Sequence, residues 1–112
     1  MSFEYPEFIK SFPEADIPLD GVKGYLVPGD RGLVVFLEIE PIGKIPPHSH
    51  GAQWGTVISG EMKLTIGDET RTYGPGDNYY IPAGEVHSAE FLTKFYVVDV
   101  FEERDRYKVK QK

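Results

Sequence analysis

The chain has 112 residues, 40% of them hydrophobic, which fills the core of one compact domain and leaves too little chain for a second. Its 18 acidic against 12 basic residues give a formal net charge of −6, which repels nucleic-acid phosphates and anionic membrane surfaces, so neither is an expected partner. Cysteine is absent, so disulfides and thiolate metal sites are excluded and any metal ion must be held by nitrogen and oxygen.

Residues 1–30 are rich in proline, glycine and acids and read as an arm lying over the rest of the domain or over a neighbouring subunit, with residues 21–27 (GVKGYLV) as its one expected strand. The opening MSFEYPEFIK carries acids where a secretory signal needs a basic start and an apolar run, and no apolar run elsewhere reaches membrane-spanning length, so a cytoplasmic location is expected. From Leu33 onward, short segments rich in β-branched and aromatic residues alternate with turn residues. The predicted strands are Leu33 to Glu40, Trp54 to Ile58, Met62 to Ile66, Thr70 to Tyr73, Asn78 to Ile81, Val86 to Phe91 and Phe95 to Phe101. Ser59-Gly60, Gly67-Asp68, Gly74-Pro75-Gly76 and Pro82-Ala83-Gly84 separate them, supplying fixed or positive φ. Met62, Leu64 and Ile66 alternate with Lys63 and Thr65, so the first set should face inward. Such a run of short antiparallel strands must bury its faces and protect its edges, which a closed barrel or a two-sheet jelly roll does. The last eleven residues, 102–112 (EERDRYKVKQK), are mostly charged and read as a solvated tail. An arm and exposed strand edges are most simply protected by pairing with a second copy, so a homodimer is expected; sedimentation that finds a monomer at micromolar concentration would count against it.

The chemistry lies in three histidines. A lone histidine in a β protein is more often a surface or core residue than a ligand. His48 and His50, however, form an HxH pair in IPPHSHGAQWG, and on an extended strand of period two both imidazoles fall on one face and can share one ion. His87 follows a PxG turn in GDNYYIPAGEVHSAEF, which would aim a third imidazole at a fixed point from another strand.

Gly43, His48, His50, Gln53 and Gly60 resemble the first motif of the cupin superfamily, which runs from a glycine through an HxH pair and a glutamate to a second glycine. Gly76, Pro82, Gly84 and His87 follow the second motif, a glycine, a PxG turn and a histidine, with its spacing intact. The resemblance covers residues 32–100. It implies an all-β fold, the cupin-type double-stranded β-helix or jelly-roll barrel, here carrying an N-terminal arm. It also implies one divalent transition metal ion (Fe, Mn, Ni, Co or Zn) held by His48, His50, His87 and Gln53. Two gaps in the first motif are shorter than usual, which a loop absorbs, whereas two substitutions alter the chemistry. Gln53 stands where the family has glutamate, either as a fourth ligand or as a polar residue at the barrel mouth beside a three-histidine site; as a ligand, its neutral amide oxygen leaves the ion its full double charge and favours anionic ligands. Phe91 stands where the second motif ends in asparagine. Four residues after His87 on the same strand face, it makes the pocket more apolar or simply packs the core, and the same two readings hold for Met62.

Trp54 should point away from the site, and of Tyr79 and Tyr80 one must face in and one out. Glu61, Lys63, Glu69 and Glu90 read as outward-facing, so no side chain besides the histidines is placed as a general base. GxSxG, P-loop and GxGxxG signatures are absent. The resemblance therefore implies a metal-dependent enzyme acting on a small, anionic organic acid, dicarbonyl or enol, by dioxygenase, lyase or isomerase chemistry. Two alternatives stand beside it: a non-catalytic sensor that binds a metal and a ligand, and a metal-free sugar isomerase or epimerase, which would not need HxH with a matched histidine.

Overall fold

A computed structural model describes residues 3–111; residues 1–2 of the arm and residue 112 of the tail lie outside the described residues. A short helix α1 (Glu7–Lys10) precedes nine strands: β1 (Val22–Pro28), β2 (Leu33–Ile39), β3 (Gly43–His48), β4 (Gln53–Ser59), β5 (Met62–Ile66), β6 (Glu69–Tyr73), β7 (Asn78–Ile81), β8 (His87–Phe91) and β9 (Phe95–Phe101). They form two antiparallel sheets, of order β1-β2-β9-β4-β7 and β3-β8-β5-β6, packed face to face as a jelly roll. The predicted strands are present within a residue or so at each end. The exceptions are β3, which was not foreseen because Pro46 and Pro47 interrupt it, and α1. Proline cannot donate to a ladder, and β3 is an edge strand that pairs only with β8, where the loss is tolerated.

Alternation places the core. Leu33, Val35, Leu37 and Ile39 of β2, with Phe95, Val97 and Phe101 of the neighbouring β9, face Met62 and Leu64 of β5 and Phe91 of β8 across the sandwich. Ile66 packs at the margin of this cluster, as the alternation in β5 requires. The arm lies over its own barrel. Tyr5 is buried on the outer face of the large sheet among Tyr25, Phe36 and Tyr96, and its hydroxyl donates to the carbonyls of Leu37 (2.9 Å) and Val97 (3.2 Å). The arm covers only part of that face. Val27, Val34, Val100, Trp54 and Tyr80 stand in register across all five strands beyond it, with Trp54 41% and Tyr80 59% exposed. Trp54 thus points out of the barrel, as expected, and Tyr79 is the tyrosine that faces in.

The tail departs from expectation. It is not free in solvent: Tyr107 packs against the core, the amide of Asp16 donates to the Lys108 carbonyl (2.8 Å), and Ala15 bridges Val109. Tail and arm therefore zip together through backbone pairing, and Tyr107 supplies an apolar contact that the surrounding charges concealed.

Candidate metal centre

His48 closes β3, His87 opens β8, and the two are paired in register across the small sheet. His50 lies beyond the end of β3, so its convergence with His48 does not come from strand periodicity, as the HxH spacing suggested. The register shifts between Ile45 and His48, where the two prolines lie, and the chain then turns. Four hydrogen bonds hold that turn. The amides of Gly51 and Ala52 donate to the carboxylates of Glu103 (2.8 Å) and Glu102 (3.0 Å), the Glu102 amide to the Ala52 carbonyl (2.9 Å), and the Gly84 amide to the His50 carbonyl (2.8 Å). Gly84 sits at φ 79°, so the PxG turn of one motif is tied directly to the HxH segment of the other.

The result is a compact trio. Ring centroids lie 5.5 Å apart for His48 and His50, 4.3 Å for His48 and His87, and 4.7 Å for His50 and His87, and one ring nitrogen from each falls within 4.8 Å of the others. Each Nδ1 meets a backbone carbonyl: Pro46 for His48 (2.9 Å), Gly51 for His50 (2.8 Å) and Glu85 for His87 (3.0 Å). A carbonyl only accepts, so Nδ1 carries the proton in all three rings and Nε2 keeps its lone pair in the neutral form. Burial lowers the pKa of His50 and of His87 against the opposing pull of those carbonyls, which favours the neutral form that binds a metal. Three imidazoles with fixed tautomers are a donor set that fits a divalent transition ion.

Gln53, the first residue of β4, lines the same cavity and is only 9% exposed. Beneath it lies a buried polar pair: the Tyr79 hydroxyl donates to Oδ1 of Asp99 at 2.6 Å. Burial pushes the Asp99 carboxyl up to about 7 and Tyr79 well above its ordinary value, and the Gln53 amide beside them opposes the rise. When Asp99 is ionised it can only accept, so an amide facing it would present NH2 and leave its carbonyl oxygen for another partner. Gly55 makes room for this pair, since a Cβ there would overlap Asp99 Oδ1 and the Tyr79 ring. Gly55→Ala is therefore expected to destabilise the protein by about 1–3 kcal/mol, lowering the thermal midpoint by several degrees for a domain of this size. A melting curve within a degree of wild type would show that the pair is not closely packed.

His48, His50, His87 and Gln53 share a cavity of about 100 Å³ with Met62 and Phe91, whose side chains both pack in the core and form its apolar wall. Residues 35–101 match the family model of the cupin domain. The chain belongs to the cupin family. Among solved structures, this cupin is similar to KdgF from Halomonas sp. (TM-score 0.71, 21% identity, 85% of this chain and 96% of that one). It is also similar to an RmlC-like cupin from Shewanella frigidimarina (TM-score 0.74, 20% identity, 94% of each chain). Oxalate decarboxylase from Bacillus subtilis aligns at TM-score 0.72 and 23% identity over 87% of this chain but only 28% of its own length. No curated protein matches.

Three residues around the cupin cavity escaped the reading of the sequence. Asp99 was overlooked although parity marks it: Phe95, Val97, Asp99 and Phe101 alternate to the inner face of β9, so an acid in that run had to be buried. It overturns the expectation that no side chain besides the histidines is placed as a base. Arg106 and Tyr107 also line the cavity, from a tail whose charge pattern gave no sign of it.

Proposed function

We propose that this cupin is a metal-dependent enzyme acting on a small organic acid, dicarbonyl or enol by dioxygenase, lyase or isomerase chemistry. The observation that carries this reading is the convergence of three imidazoles, each with Nδ1 tied to a backbone carbonyl, in the wall of an apolar cavity. His48, His50 and His87 would hold the ion through Nε2, with the Gln53 carbonyl oxygen as the fourth protein ligand. Bound there, a divalent ion supplies a Lewis-acid centre with positions left open to a small molecule. Asp99 lies in the same cavity as Gln53, where a carboxyl titrating near neutrality can take or return a proton. At about 100 Å³ the cavity is well below the several hundred of a drug-sized ligand site, which suits a substrate of a few carbons.

The likeness to KdgF and to oxalate decarboxylase, whose Mn(II) centres are known, supports small-molecule chemistry at a metal without choosing the ion or the substrate. The test is to strip the purified chain with chelator and reload it separately with Mn, Fe, Ni, Co and Zn. Small carboxylic acids, dicarbonyls and enols are then screened for product formation and oxygen uptake. One equivalent of metal per chain with turnover of any of these supports the reading; one equivalent with binding but no turnover across the series points to the sensor; no metal uptake removes both.

A further inference from the structure

Arg106 brings to the cavity a cation that has no carboxylate partner among the described residues. It follows β9 in a tight turn, its amide donating to the Glu103 carbonyl (3.2 Å), and its guanidinium carbon lies 4.5 Å from the Tyr107 ring centroid and 5.7 Å from that of Phe101. Contacts with the faces of aromatic rings satisfy the cation's charge in part but offer its N–H groups no acceptor. Nε is buried and has no acceptor, the only buried side-chain nitrogen or oxygen so placed among the described residues. No carboxylate lies within 4.0 Å of the guanidinium among the described residues, although acids surround it in the sequence. Glu102 and Glu103 are committed elsewhere, to the amides of Ala52 and Gly51.

A buried guanidinium donor with no acceptor is costly, and native proteins rarely retain one without a use. A purely structural stacking role would not require it: neighbouring acids could have paired with Arg106, and the turn instead sends them to the loop behind His50. Arg106 shares the cavity with all three imidazoles.

We propose that Arg106 is the carboxylate-binding subsite of this cavity. Nε–H and a terminal N–H form a two-pronged donor for the carboxylate of a small acid, whose other oxygen function extends toward the three histidines. The inference rests on the enzyme reading only in calling that acid a substrate, and it narrows the substrate class from acids, dicarbonyls and enols to carboxylic acids of a few carbons. The tail, far from being a solvated appendage, then supplies the specificity of the site.

The experiment uses chelator-treated protein, so that its outcome is independent of metal uptake. Lactate and its neutral isostere lactamide are titrated into nitrogen-labelled chain while the Arg106 Nε–H resonance is followed. Lactate should bind roughly tenfold or more tightly than lactamide and shift that resonance, as a charge-assisted bidentate contact requires. Arg106→Gln should abolish the preference, and Arg106→Lys, which keeps the charge and loses the fork, should retain part of it. Should Arg106→Gln fail to fold, the wild-type comparison alone decides. Equal binding of acid and amide, binding of lactate with no shift at Arg106, or no binding at tens of millimolar would each overturn the proposal. Loss of metal uptake with the lactate preference intact would instead remove the metal reading and leave the subsite standing.

Discussion

The double variant His48→Ala/His50→Ala should purify with less than a tenth of the metal carried by wild type, for which about one ion per chain is expected. Only His87 would then remain among the histidines, and one imidazole with an amide oxygen does not hold a divalent ion against buffer and water. The single variant His87→Ala leaves two imidazoles and should weaken binding at least a hundredfold, since a direct ligand is worth more than the ten- to hundredfold lost with an outer partner. Elemental analysis of protein reloaded with each ion measures both effects. Thermal melts give an independent readout: metal should raise the midpoint of wild type and leave that of the double variant unchanged, because a ligand stabilises only the state that binds it. A double variant that still takes up one equivalent would place the ion elsewhere and end the three-histidine reading.

The fold was largely legible because its signals are local. β5, β7 and β9 appear with the predicted bounds, short segments carrying β-branched or aromatic residues, and β5 and β7 are closed by glycine- or proline-bearing turns. The histidines were legible through spacing, yet the reason given for their convergence was incomplete. Strand period two cannot bring His48 and His50 together when β3 ends at His48; the Glu102 and Glu103 carboxylates hold the turn just after His50 from 50 and 52 positions along the chain. Long-range contacts of this kind leave no mark on local periodicity. The same holds for Arg106, whose place beside the cavity depends on the tail crossing back to the arm at Asp16 and Ala15. Asp99 is the opposite case: its parity in β9 was readable, and only its charge made an inward position look unlikely to a count of apolar residues.

Gln53→Glu separates a ligand from a bystander, and the buried pair behind it sharpens the test. The substitution places a carboxylate beside Asp99 in the same cavity, so without metal the two acids compete for ionisation and the metal-free variant should melt below wild type at pH 8. Unit charges about 4 Å apart interact by ~4 kcal/mol at an effective dielectric constant of about 20, so neither acid ionises freely beside the other. Metal should relieve that repulsion if the residue at position 53 touches the ion. The variant should then bind divalent metal more tightly than wild type, and the midpoint lost at pH 8 should be recovered on loading. The same added charge lowers the net charge that an incoming anion meets, so azide should bind the loaded variant at least tenfold more weakly, about 1.4 kcal/mol. The comparison is made at equal metal occupancy, by titrating azide into cobalt-loaded protein and following the visible spectrum. Equal or tighter azide binding in the variant would take Gln53 out of the ligand set. The role left to it would be to tie Asp99 and Tyr79 to the cavity wall, with the ion held by the three histidines alone.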